Sequence, residues 1–296
     1  MTAHDEVILR RSESYRSTVY YQINNFLGRF SLYAVLILGA VLLMTPILWM
    51  FLSSLKTTAE YISFPPTLLP KVPQWSNYYD VIYKYKFLKY ALNTIYLAVL
   101  FTVTNVLSSA FAGYGFARLK APGRNVLFLI MLSAIMVPNI ITIIPQFVIY
   151  SRMKIVGTFW PWFLWGIAGN AFNIFLFRQF FANFPVELED AAAVDGCSPL
   201  RTFWQIFLPN AKPVIAVTAI GAFNWVWGDF FNQTLLLSER SATLAMKLAG
   251  AFVDPRGNPL TTITLAANVI YIIPLIVIYF VGQKQIIQGI VTTGGR

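Results

Sequence analysis

Leu188-Glu189-Asp190-Ala191-Ala192-Ala193-Val194-Asp195-Gly196-Cys197, then Ile206-Phe207-Leu208-Pro209 with nine residues between Gly196 and Ile206, is a polar helix–turn–helix pattern between two long apolar runs. Residues 155–177 precede it with no Asp, Glu, Lys or Arg, and residues 213–238 follow with Asp229 as the only charged side chain. A greasy chain that interrupts itself with acidic and small residues offers a soluble partner something to hold.

Working outward, charge-free runs recur at 30–55, 90–117, 125–151 and 257–283. Each exceeds the roughly 20 residues that cross a bilayer as a helix. The chain is 57% hydrophobic and 11% charged, against about 25% charged in soluble domains. Buried helices of a soluble protein keep a polar face, so the expected class is an all-α integral membrane protein with six transmembrane helices. No apolar stretch precedes Phe30, so no cleavable signal peptide is expected. Residues 15–25 read as a short interfacial helix with Tyr20, Tyr21 and Ile23 on its apolar side.

Several chemistries are excluded. Cys197 is the lone cysteine and His4 the lone histidine, so no disulfide, Cys/His metal cluster or Ser-His-Asp set can be built. No GxxxxGK[ST] phosphate loop occurs. No cofactor is expected in this chain, and work driven by ATP needs another subunit to bind it. No nucleic-acid partner is expected either.

Six spans put both termini on one side. The short loop with Arg118, Lys120 and Arg124 places that side in the cytoplasm, although twelve of the 22 basic residues fall inside and ten outside. Residues 56–89 then form an external loop. Its Pro65, Pro66, Pro70 and Pro73 favour irregular chain, and Lys71, Lys84, Lys86 and Lys89 read as a solvated face. Gly113 and Gly115 allow close helix approach. Pro138 and Pro145 mark either a kinked packing helix or a moving hinge. Trp160 and Trp162 fit an interfacial aromatic belt. Asn170 and Asn173, about 20–25 Å further along a helix, should avoid lipid.

Residues 178–212 are too long for a bare connection. Pro185 suits a helix's first turn, and Glu187, Glu189 and Asp190 complement its positive end. Gly196 reads as the stop, and Ser198-Pro199 as the next N-cap and first helical position. Leu200, Phe203, Trp204 and Phe207 form one apolar stripe, closed by Pro209. Two short helices about a glycine result, the first presenting Ala191, Ala192 and Ala193 among carboxylates. That is the chemistry of a helix laid into a partner's cleft.

Asp190-Ala191-Ala192, Gly196 and Ile206-x-Leu208-Pro209 closely resemble the EAA signature of permease subunits in binding-protein-dependent ABC importers. So do Phe177-Arg178-Gln179-Phe180-Phe181, Phe116-Ala117-Arg118-Leu119-Lys120, and Met136-Val137-Pro138-Asn139 with Ile144-Pro145-Gln146. The resemblance covers nearly the whole chain and is closest to the smaller, six-span permease of maltose-type sugar importers. It implies a type I importer permease fold and a coupling helix that docks on a cytoplasmic ATPase through Glu189, Asp190, Ala191, Ala192, Asp195 and Gly196. Asp190 stands where the signature usually has Glu.

It further implies a second permease subunit, two ATPase subunits holding ATP and magnesium, an extracytoplasmic solute-binding protein and a sugar substrate, all at a bacterial or archaeal plasma membrane. The tail at 292–296 would reach between the ATPases. The implied organisation is a cytoplasmic segment 1–29, a permease domain 30–283 with a core from about 88 and a coupling segment 178–212, and a cytoplasmic tail 284–296.

Span five is the most polar within the membrane. Trp227, Asp229, Asn232 and Gln233 are expected to line the path together with Asn170 and Asn173, since amides and carboxylates bind hydroxyls and Trp stacks on sugar rings. Alternatively Asp229 caps within the bundle. Gln233 stands where the family has Pro. The loop 239–259 would touch the binding protein. External charge of about +6, by count of Lys and Arg against Asp and Glu, fits an acidic saccharide such as a uronate oligomer or an acidic binding protein. The rival classes are a stand-alone secondary transporter, disfavoured because Asp229 is the only candidate coupling acid and no internal repeat is evident, and a membrane enzyme, disfavoured by the lack of a catalytic set.

Overall fold

A computed structural model describes the backbone of residues 3–294 and the side chains of residues 28–283. Among these residues every regular element is helical, and two isolated bridges, Gly157 with Leu237 and Val253 with Pro259, are the only strand-like pairings. The chain divides into two compact units, residues 1–73 and 74–296.

In the first unit α1 (Ala3–Ser54) runs unbroken through Pro46. The separate interfacial helix expected at 15–25 is therefore part of one long helix. The expected apolar side of that segment (Tyr20, Tyr21, Ile23) and His4 lie outside the described side chains. The loop after α1 is less irregular than its prolines imply. Thr57 caps α2 (Thr58–Tyr61) by accepting from the Glu60 N–H at 3.2 Å. Glu60 Oε1 accepts from the Lys71 N–H at 2.8 Å. Lys56 is buried, donates to the Thr67 carbonyl and sits 4.5 Å over the Trp49 ring.

The second unit opens with α3 (Ser76–Tyr83) and α4 (Phe87–Arg118). α5 (Arg124–Ser133) and a 3-10 turn, Ala134–Met136, lead to α6 (Asn139–Arg152). Then come α7 (Trp160–Ala168), α8 (Ala171–Ala182) and α9 (Glu187–Val194). α10 (Pro199–Thr202), a π-helical segment Phe203–Phe207 and α11 (Leu208–Asn210) precede α12 (Lys212–Gly228). α13 (Phe230–Leu236), α14 (Leu244–Ala249) and α15 (Thr261–Gly294) complete it.

α4 is the organising helix, packed against α7, α8 and α12, and α15 packs on α12. Close approach needs small residues. A Cβ on Gly113 would stand 2.5 Å from the Phe177 Cβ, and one on Gly166 1.9 Å from Thr104 Oγ1. Gly113 is therefore the tight helix crossing expected of it, whereas Gly115 meets nothing closer than 4.0 Å.

Among the described residues three helical stretches are long and apolar enough to cross a membrane: Gly28–Ser54, Phe87–Arg118 and Thr261–Gln283. Two more qualify only as bent pairs. Arg124–Met136 and Asn139–Arg152 meet at 99°, and Pro199–Asn210 and Lys212–Gly228 at 81°. Pro138 is the N-cap of α6 at the 99° bend, so the third apolar run turns sharply there, and Pro145 lies inside α6. The run 155–177 is broken between α7 and α8, where Gly169 adopts φ 76°. Trp160 is exposed as a belt residue would be, but Trp162 is fully buried, edge-on to Trp165 at 5.4 Å. The interior, not an interface, takes Trp162.

Candidate functional site

The acidic segment is built as its sequence directs, with local corrections. α9 begins at Glu187, so Pro185 precedes the helix. Its end is a Schellman motif: the Cys197 N–H reaches the Ala192 carbonyl at 2.8 Å and the Gly196 N–H the Ala193 carbonyl at 3.1 Å. Gly196 supplies the left-handed φ of 72° this geometry needs. Ser198 Oγ accepts from the Arg201 N–H at 3.3 Å, and Pro199 opens α10.

The apolar stripe splits. Phe203 and Phe207 are fully buried, while Leu200 and Trp204 are about half exposed. The π-helical turn between them rotates the following residues, and it lies just ahead of Pro209, which cannot donate a backbone hydrogen bond. Pro209 does not end the helix, which runs on to Asn210.

This segment rests on a socket of aromatic rings and one arginine. Tyr114 of α4 and Phe181 of α8 meet Phe207 at ring distances of 5.0 and 5.5 Å. Arg118 donates to the Phe181 carbonyl at 2.7 and 3.0 Å and to the Phe184 carbonyl. Its guanidinium lies 5.3 Å from the Phe207 ring centroid and 3.5 Å from Glu189. Glu189 is therefore turned toward its own fold, and Ala192 is buried beside it. Asp190, Ala191, Asp195 and Gly196 remain exposed. Val194, not singled out by the sequence, is 89% exposed.

The polar residues expected along the path separate into two groups. Asn170, Asn173 and Asn232 line a cavity of about 610 Å3. Asn170 caps α8, accepting from Phe172 N at 3.0 Å and Asn173 N at 3.2 Å. Its own N–H donates to Ser109 Oγ at 3.1 Å, and Ser108 Oγ donates to the Gly166 carbonyl at 2.7 Å, so the helix break is pinned on α4. Asn173 Nδ2 donates to Asn105 Oδ1 at 2.8 Å. Asn105, Asn139, Gln146 and Trp225 also line the cavity and were missed. The signal for the first three was an amide inside a charge-free run; Trp225 offered none beyond its aromatic ring.

Trp227, Asp229 and Gln233 do not line it. Trp227 is buried, stacks on Tyr271 at 5.4 Å and donates to the Tyr271 carbonyl at 3.1 Å, and Tyr271 Oη donates back to the Trp227 carbonyl. Gln233 is buried between the Val226 carbonyl, at 2.6 Å, and the Thr243 hydroxyl. Asp229 caps α13, accepting from Asn232 N and Nδ2, each at 3.0 Å. Capping is the role it takes, because the break after Gly228 leaves the first N–H groups of α13 without partners.

A helical bundle with several apolar spans, an amide-lined cavity and an acidic, partly exposed helix–turn–helix segment fits a membrane transport subunit. The chain belongs to the family of binding-protein-dependent transport system inner membrane components, whose pattern matches residues 105–292. It is 30% identical over 268 residues to the galactooligosaccharides transport system permease protein GanQ of Bacillus subtilis, covering 89% of this chain and 93% of that one. It is 29% identical over 264 residues to the diacetylchitobiose uptake system permease protein NgcG of Streptomyces coelicolor, covering 88% and 87%. The crystal structure of a bacterial ABC transporter importing the acidic polysaccharide alginate superposes with a TM-score of 0.75 at 26% identity, covering 86% of this chain and 95% of that chain.

Proposed function

We propose that this chain is one permease subunit of an ATP-driven importer that moves a sugar or oligosaccharide from an extracytoplasmic binding protein into the cytoplasm. The observation that carries this reading is the pairing, in one family member, of an amide-lined cavity with an acidic helix whose exposed face is free to enter a cleft. The relatives named for galactooligosaccharides and diacetylchitobiose support a saccharide substrate.

The chain forms half of the pore with a second, distinct permease. Residues 30–283 make a six-span domain, with a core from about 88, in which the broken run 155–177 and the bent helices each count as one crossing. Residues 1–29 and the tail 284–296 lie in the cytoplasm. The tail's contact at Thr292–Arg296 belongs to side chains outside those described.

The segment 178–212 is the coupling element. Two ATPase subunits, holding ATP and magnesium, close beneath it and push on α9 through Asp190, Ala191, Asp195 and Gly196. Arg118 and Glu189 carry that push into α4 and α8. The chain itself performs no catalysis. On the other side, the loop 239–259 meets the binding protein.

Reconstitution tests this. Vesicles holding both permeases, the ATPases and the binding protein should accumulate saccharide with ATP after proton and sodium gradients are collapsed. This chain alone should accumulate none. Accumulation by the isolated chain, or labelling of Cys197 only from outside, overturns the reading.

A further inference from the structure

Resting on the reading that the amide-lined cavity lies on the translocation path, we propose that this chain contributes its own saccharide subsite, selective for uncharged sugars over uronates. Trp225 is its stacking platform and Gln146 its central free amide.

The hydrogen-bonding capacity of the lining is of both signs. The carboxamides of Gln146 and Asn139 make no hydrogen bond among the described residues, leaving a donor and an acceptor on each. Asn170 uses its oxygen on the α8 N–H groups and keeps its amide nitrogen. Asn232 spends its nitrogen on Asp229, Asn173 spends one N–H on Asn105, and both keep their oxygens. A sugar hydroxyl both donates and accepts, so it can use all of these. A carboxylate only accepts, and would face the remaining oxygens without a partner.

Charge points the same way. Among the described residues no Lys, Arg or His lines the cavity, so none of them offsets the desolvation of a uronate, which is severe for an unpaired ion. Asp229 holds the amide of the lining residue Asn232 and adds repulsion.

The aromatic element is pre-set. Trp225 is held by Phe101 at 4.9 Å and by Trp165 edge-on at 6.1 Å, yet stays 40% exposed. A ring fixed on one side and open on the other can stack on the C–H face of a pyranose. At about 610 Å3 the space falls within the range of small-molecule sites. The likeness to an alginate importer therefore reaches the fold, while this chain's cavity chemistry differs from what a polyuronate needs.

The test uses the assembled importer with its binding protein in proteoliposomes. The probes are two radiolabelled mixtures: short neutral gluco-, galacto- and chito-oligosaccharides, and short uronate oligosaccharides. ATP-dependent uptake of the neutral mixture should exceed that of the uronates by at least about tenfold. Trp225→Ala and Gln146→Ala should each slow neutral uptake about tenfold at subsaturating sugar, the loss expected for one contact of about 1.4 kcal/mol. Trp225→Phe should recover most of the rate. Copurification of the partner subunits separates loss of the subsite from loss of assembly. Uronate uptake equal to or faster than neutral uptake, or wild-type rates in both alanine variants, overturns the proposal. Uptake of neither mixture by an assembled, ATP-hydrolysing importer overturns the saccharide-import reading itself.

Discussion

The guanidinium of Arg118 stands 3.5 Å from the carboxylate of Glu189, and the Glu189 oxygen facing it is buried and accepts no hydrogen bond. Among the described residues its ion-pair partner is an arginine already donating to the Phe181 and Phe184 carbonyls. Three groups, the Phe181 and Phe184 carbonyls at the end of α8 and the Glu189 carboxylate of α9, converge on the one cation that α4 supplies.

Arg118→Ala should therefore strand two carbonyls and a partly buried carboxylate together. The expected cost is about 2–4 kcal/mol, since breaking a buried pair from one side leaves the other charge uncompensated. Glu189 is 28% exposed, which keeps the value from the top of that range. Arg118→Lys restores the charge but not the planar fork, so it should recover less than half. Hydrogen exchange across 187–197 reads the effect. Protection there equal to wild type in Arg118→Ala would refute the socket.

Gly166 makes a second prediction about packing. The added methyl of Gly166→Ala would lie 1.9 Å from Thr104 Oγ1 and 2.8 Å from Thr104 Cβ. Either α7 or α4 must shift, at a cost of about 1–3 kcal/mol. Thr104 Oγ1 bonds only to carbonyls of its own helix, Leu100 and Phe101, so Thr104→Ala alone should be nearly neutral. The double variant should regain part of the loss, because the oxygen clash goes while the Cβ contact stays. A double-mutant cycle on thermal unfolding measures this coupling. Simple additivity would count against the packing account.

Much of this was legible in the sequence. Charge-free runs announce helices that no soluble core would tolerate, and Gly196-Cys197-Ser198-Pro199 spells a helix stop followed by a helix start. Each signal is local chemistry: a left-handed residue, a hydroxyl cap, an imino acid. Facing was not legible. α12 is apolar on every side, so its spacing cannot say that Trp225 meets the cavity while Trp227 meets Tyr271. Polarity was also an imperfect guide to the path. Gln233 and Asp229 satisfy breaks in the backbone, whereas Gln146 lies among apolar neighbours and stood out only as part of a family-like stretch, not as a path residue. Glu189 and Asp190 are adjacent in sequence, yet the helix turns one to Arg118 and the other to solvent.

The Trp227–Tyr271 contact is reciprocal, each residue donating to the other's carbonyl. It closes the helix break at Gly228 against α15. Tyr271→Phe should cost about 0.5–1.5 kcal/mol, one net hydrogen bond, and Trp227→Ala about 3–5 kcal/mol for a buried aromatic. Neither residue touches the cavity, so Tyr271→Phe should leave the sugar concentration giving half-maximal uptake unchanged. A several-fold shift in that concentration with unchanged stability would place Tyr271 on the path after all.

The loop at Asp254 yields a prediction about pH. Its carboxylate accepts from Arg256 N and Asn258 N, each at 2.8 Å, and from Asn258 Nδ2 at 2.9 Å. The Asn258 side chain, followed by backbone N–H groups, holds the carboxyl below its ordinary value. A depressed pKa means that the ionised form is favoured in the folded loop. The stabilisation is then complete above the ordinary carboxylate value of about 4 and disappears only as pH falls through the lowered one. Protection of 251–260 against hydrogen exchange, corrected for the intrinsic rate at each pH, should stay flat from neutral pH down to about 5 and fall only below about 4. Asp254→Asn keeps one acceptor oxygen and loses the charge, so this loop should exchange faster at neutral pH and show no such acid transition. An acid transition retained in Asp254→Asn would assign the titration to another group.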